Sequence, residues 1–285
     1  MSKNITGKIK INSFADIVGC DEPSVTEILL TQLHDFSNHP FKVLDDEKMD
    51  ETVESIKKYG VLMPGIVRPK IDGGYEIISG HRRKRACEIA GLKTMPVIIK
   101  NYSDDEATVV MVDTNIQRED ILPSEKARAY RMKFDAMKHQ GCKEGGRTLD
   151  LIGEKAGESG KTVQRYIYLS YLSDALLALV DAKKISIVCG VALSFLNADE
   201  QQWVEEKIKD DAVLINSSQA SKLKELSHRH ELTKFMVDAI LNVKPKPRKF
   251  VMNSERISEF FSDDVSMEEI QETIFMLLEQ WKNKK

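Results

Sequence analysis

Residues 75–91 read Tyr75-Glu76-Ile77-Ile78-Ser79-Gly80-His81-Arg82-Arg83-Lys84-Arg85-Ala86-Cys87-Glu88-Ile89-Ala90-Gly91. The first four residues, preceded by Gly73-Gly74, have the composition of a short strand after a turn. Arg82 to Ala90 has the composition of a helix, closed by Gly91. A strand that runs through a glycine into a helix opens an α/β unit. The start of that helix also carries a chemistry, because free N–H groups and the helix dipole favour an anion there. Gly80 lets the backbone come close, and Arg82, Arg83 and Arg85 bring forked donors that match phosphate oxygens. An exposed basic helix would have the same composition. The position directly after a strand is what favours the phosphate reading.

The alternation continues on both sides. Upstream, Met49, Val53 and Ile56 recur at helical spacing, with Asp46 as N-cap and Gly60 as the stop. Ile66-Val67-Arg68 reads as a strand. Downstream, Val97-Ile98-Ile99 is another, and Ser103 with Glu106 forms a capping box for a helix through Ala107, Val110 and Met111. Residues 39–120 are therefore expected to form a small α/β domain. Residues 1–38 precede it as an N-terminal extension, in which 25–33 is expected as a short helix.

Strand signals stop at Pro123, which suits the first position of a helix. Ala127, Tyr130, Phe134 and Met137 then mark one apolar face, ending at Gly141. Shorter helices follow, with a capping box at Asn197 and Glu200, so residues 121–241 are expected to be all-helical. Residues 242–249 place Pro245 and Pro247 among lysines, the composition of a stiff exposed linker. Residues 250–285 offer a strand, Phe250-Val251-Met252. A capping box, Ser266 with Glu269, then opens a helix with Ile270, Ile274, Leu277, Leu278 and Trp281 on one side. About 40 residues is small for an independent core. The stripe is therefore expected to pack on a second copy of the chain.

Two further stretches carry chemistry. Asn115-Ile116-Gln117-Arg118-Glu119-Asp120 ends a helix just before Pro123, and its side chains can reach phosphate or metal-bound water. A polar interdomain hinge would look the same. Residues 149–169 have a helix-turn-helix pattern. Ile152 and Ala156 face inward, Gly157 makes the turn, Ser159 caps the second helix, and Val163, Tyr166 and Ile167 pack back. Ser159, Gly160, Lys161, Thr162, Gln164, Arg165 and Tyr168 are then the candidate DNA-binding residues. Lys and Arg suit phosphate or guanine, and Gln suits adenine. The Gln/Arg-bearing outer face favours DNA reading over an ordinary helical hairpin.

Composition bounds the rest. At about 150 residues per domain, 285 residues make roughly two domains. No window approaches the roughly 18 apolar residues of a membrane helix, so no membrane span is expected. Met1-Ser2-Lys3-Asn4-Ile5-Thr6 has no apolar signal core, so secretion by that route is not expected. Cys20, Cys87, Cys142 and Cys189 are far apart, which argues against a zinc site or disulfide framework and for a reducing compartment. A net charge of -3 excludes a uniformly basic coat but leaves room for local patches. Residues 81–100, 126–147 and 244–256 are such basic runs, each beside a motif, which together point to a polyanion partner.

The order of these motifs, over about residues 41–196, resembles the ParB family of partition proteins. Gly60-Val61-Leu62-Met63-Pro64-Gly65-Ile66-Val67-Arg68 is similar to that family's segment at the nucleotide base. Gly80-His81-Arg82-Arg83-Lys84-Arg85-Ala86 is similar to its phosphate motif, usually Gly-Glu-Arg-Arg-x-Arg-Ala. Thr114-Asn115-Ile116-Gln117-Arg118-Glu119-Asp120 is similar to its Glu-Asn-x-Gln-Arg-x-Asp motif, and the helix-turn-helix follows in order. The resemblance implies an α+β chain. It would have a ParB/sulfiredoxin-like N-terminal domain, a helical DNA-binding domain and a C-terminal dimerisation segment.

The resemblance also implies function: a CTP-switched DNA clamp acting in plasmid or chromosome partition. Such a clamp binds CTP with Mg2+, loads at a specific double-stranded DNA site, forms a homodimer and works with a ParA-type ATPase. It is cytoplasmic and nucleoid-associated. The implied nucleotide-binding residues are Met63, Pro64, Ile66, Arg68, Gly80, His81, Arg82, Arg83, Arg85, Ala86, Asn115, Gln117 and Arg118, with Asn115 also at the metal. His81 and the His39-Pro40-Phe41-Lys42-Val43 segment are closer to plasmid and mobile-element members. Thr114 stands where the family has Glu, so at most weak CTPase activity is expected and no catalytic residue is assigned. Residues 1–38 lack the basic arm that recruits an ATPase. Sulfiredoxin shares the α/β fold, but its catalytic Cys is Gly80 here and the nearest cysteine is Cys87. A transcriptional regulator or nucleoid-occlusion-type protein of a mobile element would use the same parts.

Overall fold

The computed structural model describes residues 24–118, 120–141, 146–211, 214–242, 260–262 and 265–283. Five strands form one sheet: β1 (Val25–Leu29), β2 (Leu33–His34), β3 (Gly65–Pro69), β4 (Tyr75–Ser79) and β5 (Thr94–Ile99). Their spatial order is β1-β5-β3-β4-β2. β1 runs antiparallel to β5 and β3 antiparallel to β4, while β3–β5 and β2–β4 are parallel. Residues 25–33 are thus not one helix but β1, a 3-10 turn at Leu30–Gln32 and the start of β2. Val25 pairs with Ile98 and Leu29 with Thr94, and β-branched Val25, Thr26 and Ile28 suit a pleated strand better than the local spacing suits a helix. Two strands of the sheet therefore come from the stretch read as an N-terminal extension.

Alternation along the strands divides the core. Val67 and Ile77 pack with Met49, Val53 and Ile56 of α1 (Glu47–Tyr59) and with Ala86 and Cys87 of α2 (His81–Ile89). Their neighbours Ile66 and Ile78 pack instead with Ala107, Val110 and Met111 of α3 (Asp104–Asn115). Asp46 caps α1 by accepting the Met49 N–H at 2.9 Å, and the capping box of Ser103 and Glu106 opens α3.

The second core runs on into the helical part. It takes Ala129 and Tyr130 from α4 (Pro123–His139), Ile152 from α5 (Gly146–Glu154) and Val163 and Ile167 from α6 (Gly160–Leu169). A third core joins α6 to α7 (Asp174–Asp181), α8 (Ile187–Leu193), α9 (Ala198–Asp211), α10 (Ser217–His228) and α11 (Lys234–Leu241). Asn197 and Glu200 cap α9 reciprocally, at 2.9 Å each way.

The described residues from Phe260 onward belong to a separate compact unit. Its α12 (Met267–Asn283) starts at Ser266, which accepts the Glu269 N–H. Ile270 is buried, but Leu277, Leu278 and Trp281 are more than half exposed. The expected linker beyond Asn242 and the strand at Phe250-Val251-Met252 lie outside the described residues. Among the described residues no helix is long and apolar enough to cross a membrane.

Candidate functional site

Ser79 ends β4, and the chain turns into α2 at Gly80, whose φ is +115°. That left-handed conformation favours glycine. A Cβ there would lie 3.2 Å from Gly65 Cα, so space for a side chain is also tight. The start of α2 faces a cleft of about 160 Å³. Gly80, His81, Arg82 and Arg83 line it from α2, and Asn115 and Arg118 from the end of α3. Six of the expected nucleotide residues, far apart in sequence, thus share one wall system. His39, Val43, Ser79 and Thr114 complete the lining. None of these four was among the expected nucleotide-binding residues, although Thr114 stood in the expected motif. His39 and Val43 reach the cleft only through the fold, from a segment about forty positions upstream.

The other expected nucleotide residues are placed differently. Ile66 and Ala86 are core residues, at 2% and 0% exposure. The Arg68 guanidinium is engaged by Glu76 at 2.5 Å and Asp104 at 2.6 Å. Arg85 pairs with Asp45 and Glu88 on the outer side of α2. Met63 is exposed, but its carbonyl and that of Pro64 both accept from Arg83 Nη1, the latter at 2.7 Å. Arg83 therefore ties the 63–64 loop to the phosphate motif. Gln117 points to the helix-turn-helix, donating to the Lys155 carbonyl at 2.7 Å.

Charge in the cleft is one-sided. Three arginines and no carboxylate stand in its lining. Arg82 is held from outside by Asp46 at 2.9 Å, and this contact keeps the Asp46 carboxyl below its usual range. Burial pulls the Arg83 guanidinium down. It also pushes the His81 imidazole down to about 3, helped by neighbouring His39, so His81 is neutral at pH 7. The Phe36 N–H donates to His81 Nε2 at 3.4 Å. A neutral ring at this point adds no negative charge to an anion site. The Asn115 amide nitrogen donates to the Met111 carbonyl at 2.8 Å, leaving its oxygen as the ligand atom the side chain can offer.

The helix-turn-helix forms as its pattern predicts. Gly157 turns with φ +66°, and Ser159 accepts the Thr162 N–H. Ile152 and Val163 are fully buried, and Ile167 is 7% exposed. Ser159, Lys161, Gln164 and Arg165 are exposed, while Thr162 and Tyr168 are half-buried. Gln164 donates to the Tyr168 hydroxyl at 3.2 Å. Gly160 departs from the expected outer face. It is buried against α5, its N–H donating to Asp150 Oδ1 at 2.8 Å, and a Cβ there would meet that oxygen at 2.4 Å. The basic run 126–147 is also less free than its composition implies. Lys126 pairs with Glu158, Arg128 with Asp174, Arg131 with Asp135 and Lys133 with Asp113.

Comparison with known proteins gives this arrangement a family. Residues 16–116 match the ParB N-terminal domain. The chromosome-partitioning protein Spo0J of Thermus thermophilus is 30% identical over 69% of this chain and 69% of its own length. This chain belongs to the ParB family. Its α+β architecture, with the sheet domain followed by helices, is that of a ParB N-terminal region and helix-turn-helix. The probable chromosome 1-partitioning protein ParB of Deinococcus radiodurans is 33% identical over 64% of this chain and 60% of its own. A nucleoid occlusion protein of Listeria monocytogenes is 31% identical over 69% of this chain and 66% of its own. The match thus spans less than two thirds of two of these three ParB relatives.

Two similar solved structures are of a C-terminally truncated chromosome-partitioning ParB from Caulobacter crescentus. The one complexed to the centromeric parS site has a TM-score of 0.44 and 22% identity, covering 70% of this chain and 98% of that one. The one complexed with CTP-gamma-S has a TM-score of 0.32 and 25% identity, covering 66% and 99%.

Proposed function

We propose that this ParB-family chain is a sequence-specific DNA-binding partition protein, switched by CTP held in the cleft. The observation that carries the proposal is the linkage between cleft and reading helix. Asn115 lines the cleft, and Gln117, two residues on, is bonded to the turn after α5. A ligand that orders the end of α3 therefore acts directly on the helix-turn-helix.

A triphosphate suits the cleft, because its negative charge meets the N-terminus of α2 and the arginines Arg82, Arg83 and Arg118. Binding exchanges the Asp46 carboxylate on Arg82 for phosphate oxygens. Mg2+ bound with CTP would be held by the phosphates and the Asn115 side-chain oxygen. It would supply charge neutralisation between phosphates, and no carboxylate of the lining adds to it. DNA binding falls to Lys161, Gln164 and Arg165, with Ser159, Thr162 and Tyr168 beside them. The exposed side of α12 serves a homodimer. The same set suits a protein of the cytoplasm and nucleoid, working with a ParA-type ATPase.

A second reading, nucleoid occlusion, is favoured by the Listeria relative of nearly equal similarity. One experiment tests the shared mechanism. The protein is loaded with CTP on a duplex carrying a site selected from random sequence, tethered at one end or at both. CTP-dependent retention on the doubly tethered duplex is expected. Equal retention with and without CTP would contradict the switch. Loss of plasmid stability on deletion, with normal division over the nucleoid, separates partition from occlusion.

A further inference from the structure

His39 has an arrangement that the function so far leaves unused. Its Nδ1 lies 2.6 Å from the Phe41 carbonyl oxygen, which can only accept. The ring proton therefore sits on Nδ1, and in the neutral ring Nε2 is a bare lone pair. That Nε2 is buried and has no hydrogen-bond partner, alone in this among the side-chain nitrogens and oxygens of the described residues. The residue nonetheless lines the cleft, and its ring lies against His81 with centroids 4.0 Å apart. His81 offers Nε2 no proton at its own Nε2, which already accepts the Phe36 N–H.

A buried polar atom with no partner costs free energy unless something meets it. A phosphate oxygen carries no proton to give a lone pair. It accepts strongly, however, from a protonated imidazole. We propose that His39 is a phosphate-contacting residue of the cleft that takes up one proton on Nε2 as the triphosphate enters. The inference rests on the nucleotide reading above and adds to it a contact and a proton. The proton comes from the buffer, the new N–H donates to a phosphate oxygen, and no other bond changes.

The charges around His39 set the direction. Asp35, from the loop after β2, and Glu125, from α4, favour the cation. Arg118, after α3, disfavours it. Burial outweighs these and keeps the empty ring neutral, below its usual range. A triphosphate neutralises Arg118 and adds negative charge, so the cation is favoured only when the ligand is present. Proton uptake and triphosphate binding are then linked, each tightening the other.

The test is calorimetric titration of the full chain with CTP in buffers of different protonation enthalpy, between pH 8 and 6, beside His39→Gln. A glutamine amide can donate from the same region without titrating. The ionisation of CTP itself is common to both proteins and cancels. Wild type is expected to take up as much as one proton more than His39→Gln. Its affinity relative to the variant should rise by up to tenfold for each pH unit lowered. Equal proton counts and parallel affinity profiles would overturn the proposal. A second measurement uses the unaltered protein: the His39 Cε1–H resonance should titrate at higher pH with CTP bound, and an unmoved midpoint would overturn it. Absence of any CTP binding would overturn the nucleotide reading and this inference together. Binding without the extra proton would overturn this inference alone.

Discussion

Lys133 Nζ lies 2.5 Å from Asp113 Oδ1, with the two side chains only 4% and 9% exposed. The same ammonium donates to the Ile152 carbonyl at 3.4 Å. One buried cation on α4 thus joins α3, which ends at the cleft, to α5 of the helix-turn-helix.

Removing that cation strands a carboxylate. Lys133→Met should destabilise the chain by about 3–5 kcal/mol, the usual loss when one member of a buried pair is removed. Lys133→Met with Asp113→Leu should recover most of it, because both charges are then gone. Urea unfolding midpoints of the two variants check this. A single variant as stable as wild type would show that the pair carries no stability.

The reading helix divides into two kinds of contact. Gln164→Ala and Arg165→Ala should each cost about 1–3 kcal/mol on the cognate duplex and much less on random DNA. Lys161→Ala should weaken both alike and flatten the salt dependence by about one phosphate. Fluorescence anisotropy over a salt series reads both effects. Equal losses on the two duplexes in all three variants would mean that the helix does not read bases.

Much of this was legible beforehand because it is local. Asp46, Ser103, Ser159 and Asn197 cap the helices their spacing predicts, and β3, β4 and β5 fall where short apolar runs meet turns. What was not legible depends on partners distant in sequence. Residues 25–29 become a strand only because β5 offers an edge, and Leu33–His34 because β4 does. Arg68 is taken by Glu76 and Asp104, and Gln117 by the Lys155 carbonyl, so motif membership overstated the cleft. Lys133 looked like part of a free basic run and is a buried structural cation. His39 carried no local signal for the cleft, since only the fold brings it to His81.

Thr114 lines the cleft, and its hydroxyl donates to the Met111 carbonyl at 3.1 Å. It brings no negative charge for a cation and no base for water, while phosphoryl transfer depends on positioning and charge stabilisation. CTP should therefore bind but turn over very slowly. Thr114→Glu should raise the rate of phosphate release without a large gain in affinity. Brisk release by the unaltered protein would point to another residue that positions water.

The C-terminal unit offers Leu277, Leu278 and Trp281 at 55%, 53% and 59% exposure on α12. A chain ending at Pro245 should sediment as a monomer without nucleotide, while the full chain sediments as a dimer. A truncated chain that remains dimeric would place the interface elsewhere.

The central claim is that the cleft at Gly80–Arg83 holds CTP. Calorimetric titration of the full chain with CTP, ATP, GTP and UTP, with Mg2+ and with or without cognate DNA, tests it most directly. CTP alone should bind, one per chain, and Arg82→Ala should weaken it by about 1.5–3 kcal/mol, the worth of a charge-assisted hydrogen bond. Equal binding of all four nucleotides, or CTP affinity unchanged in Arg82→Ala, would contradict the account.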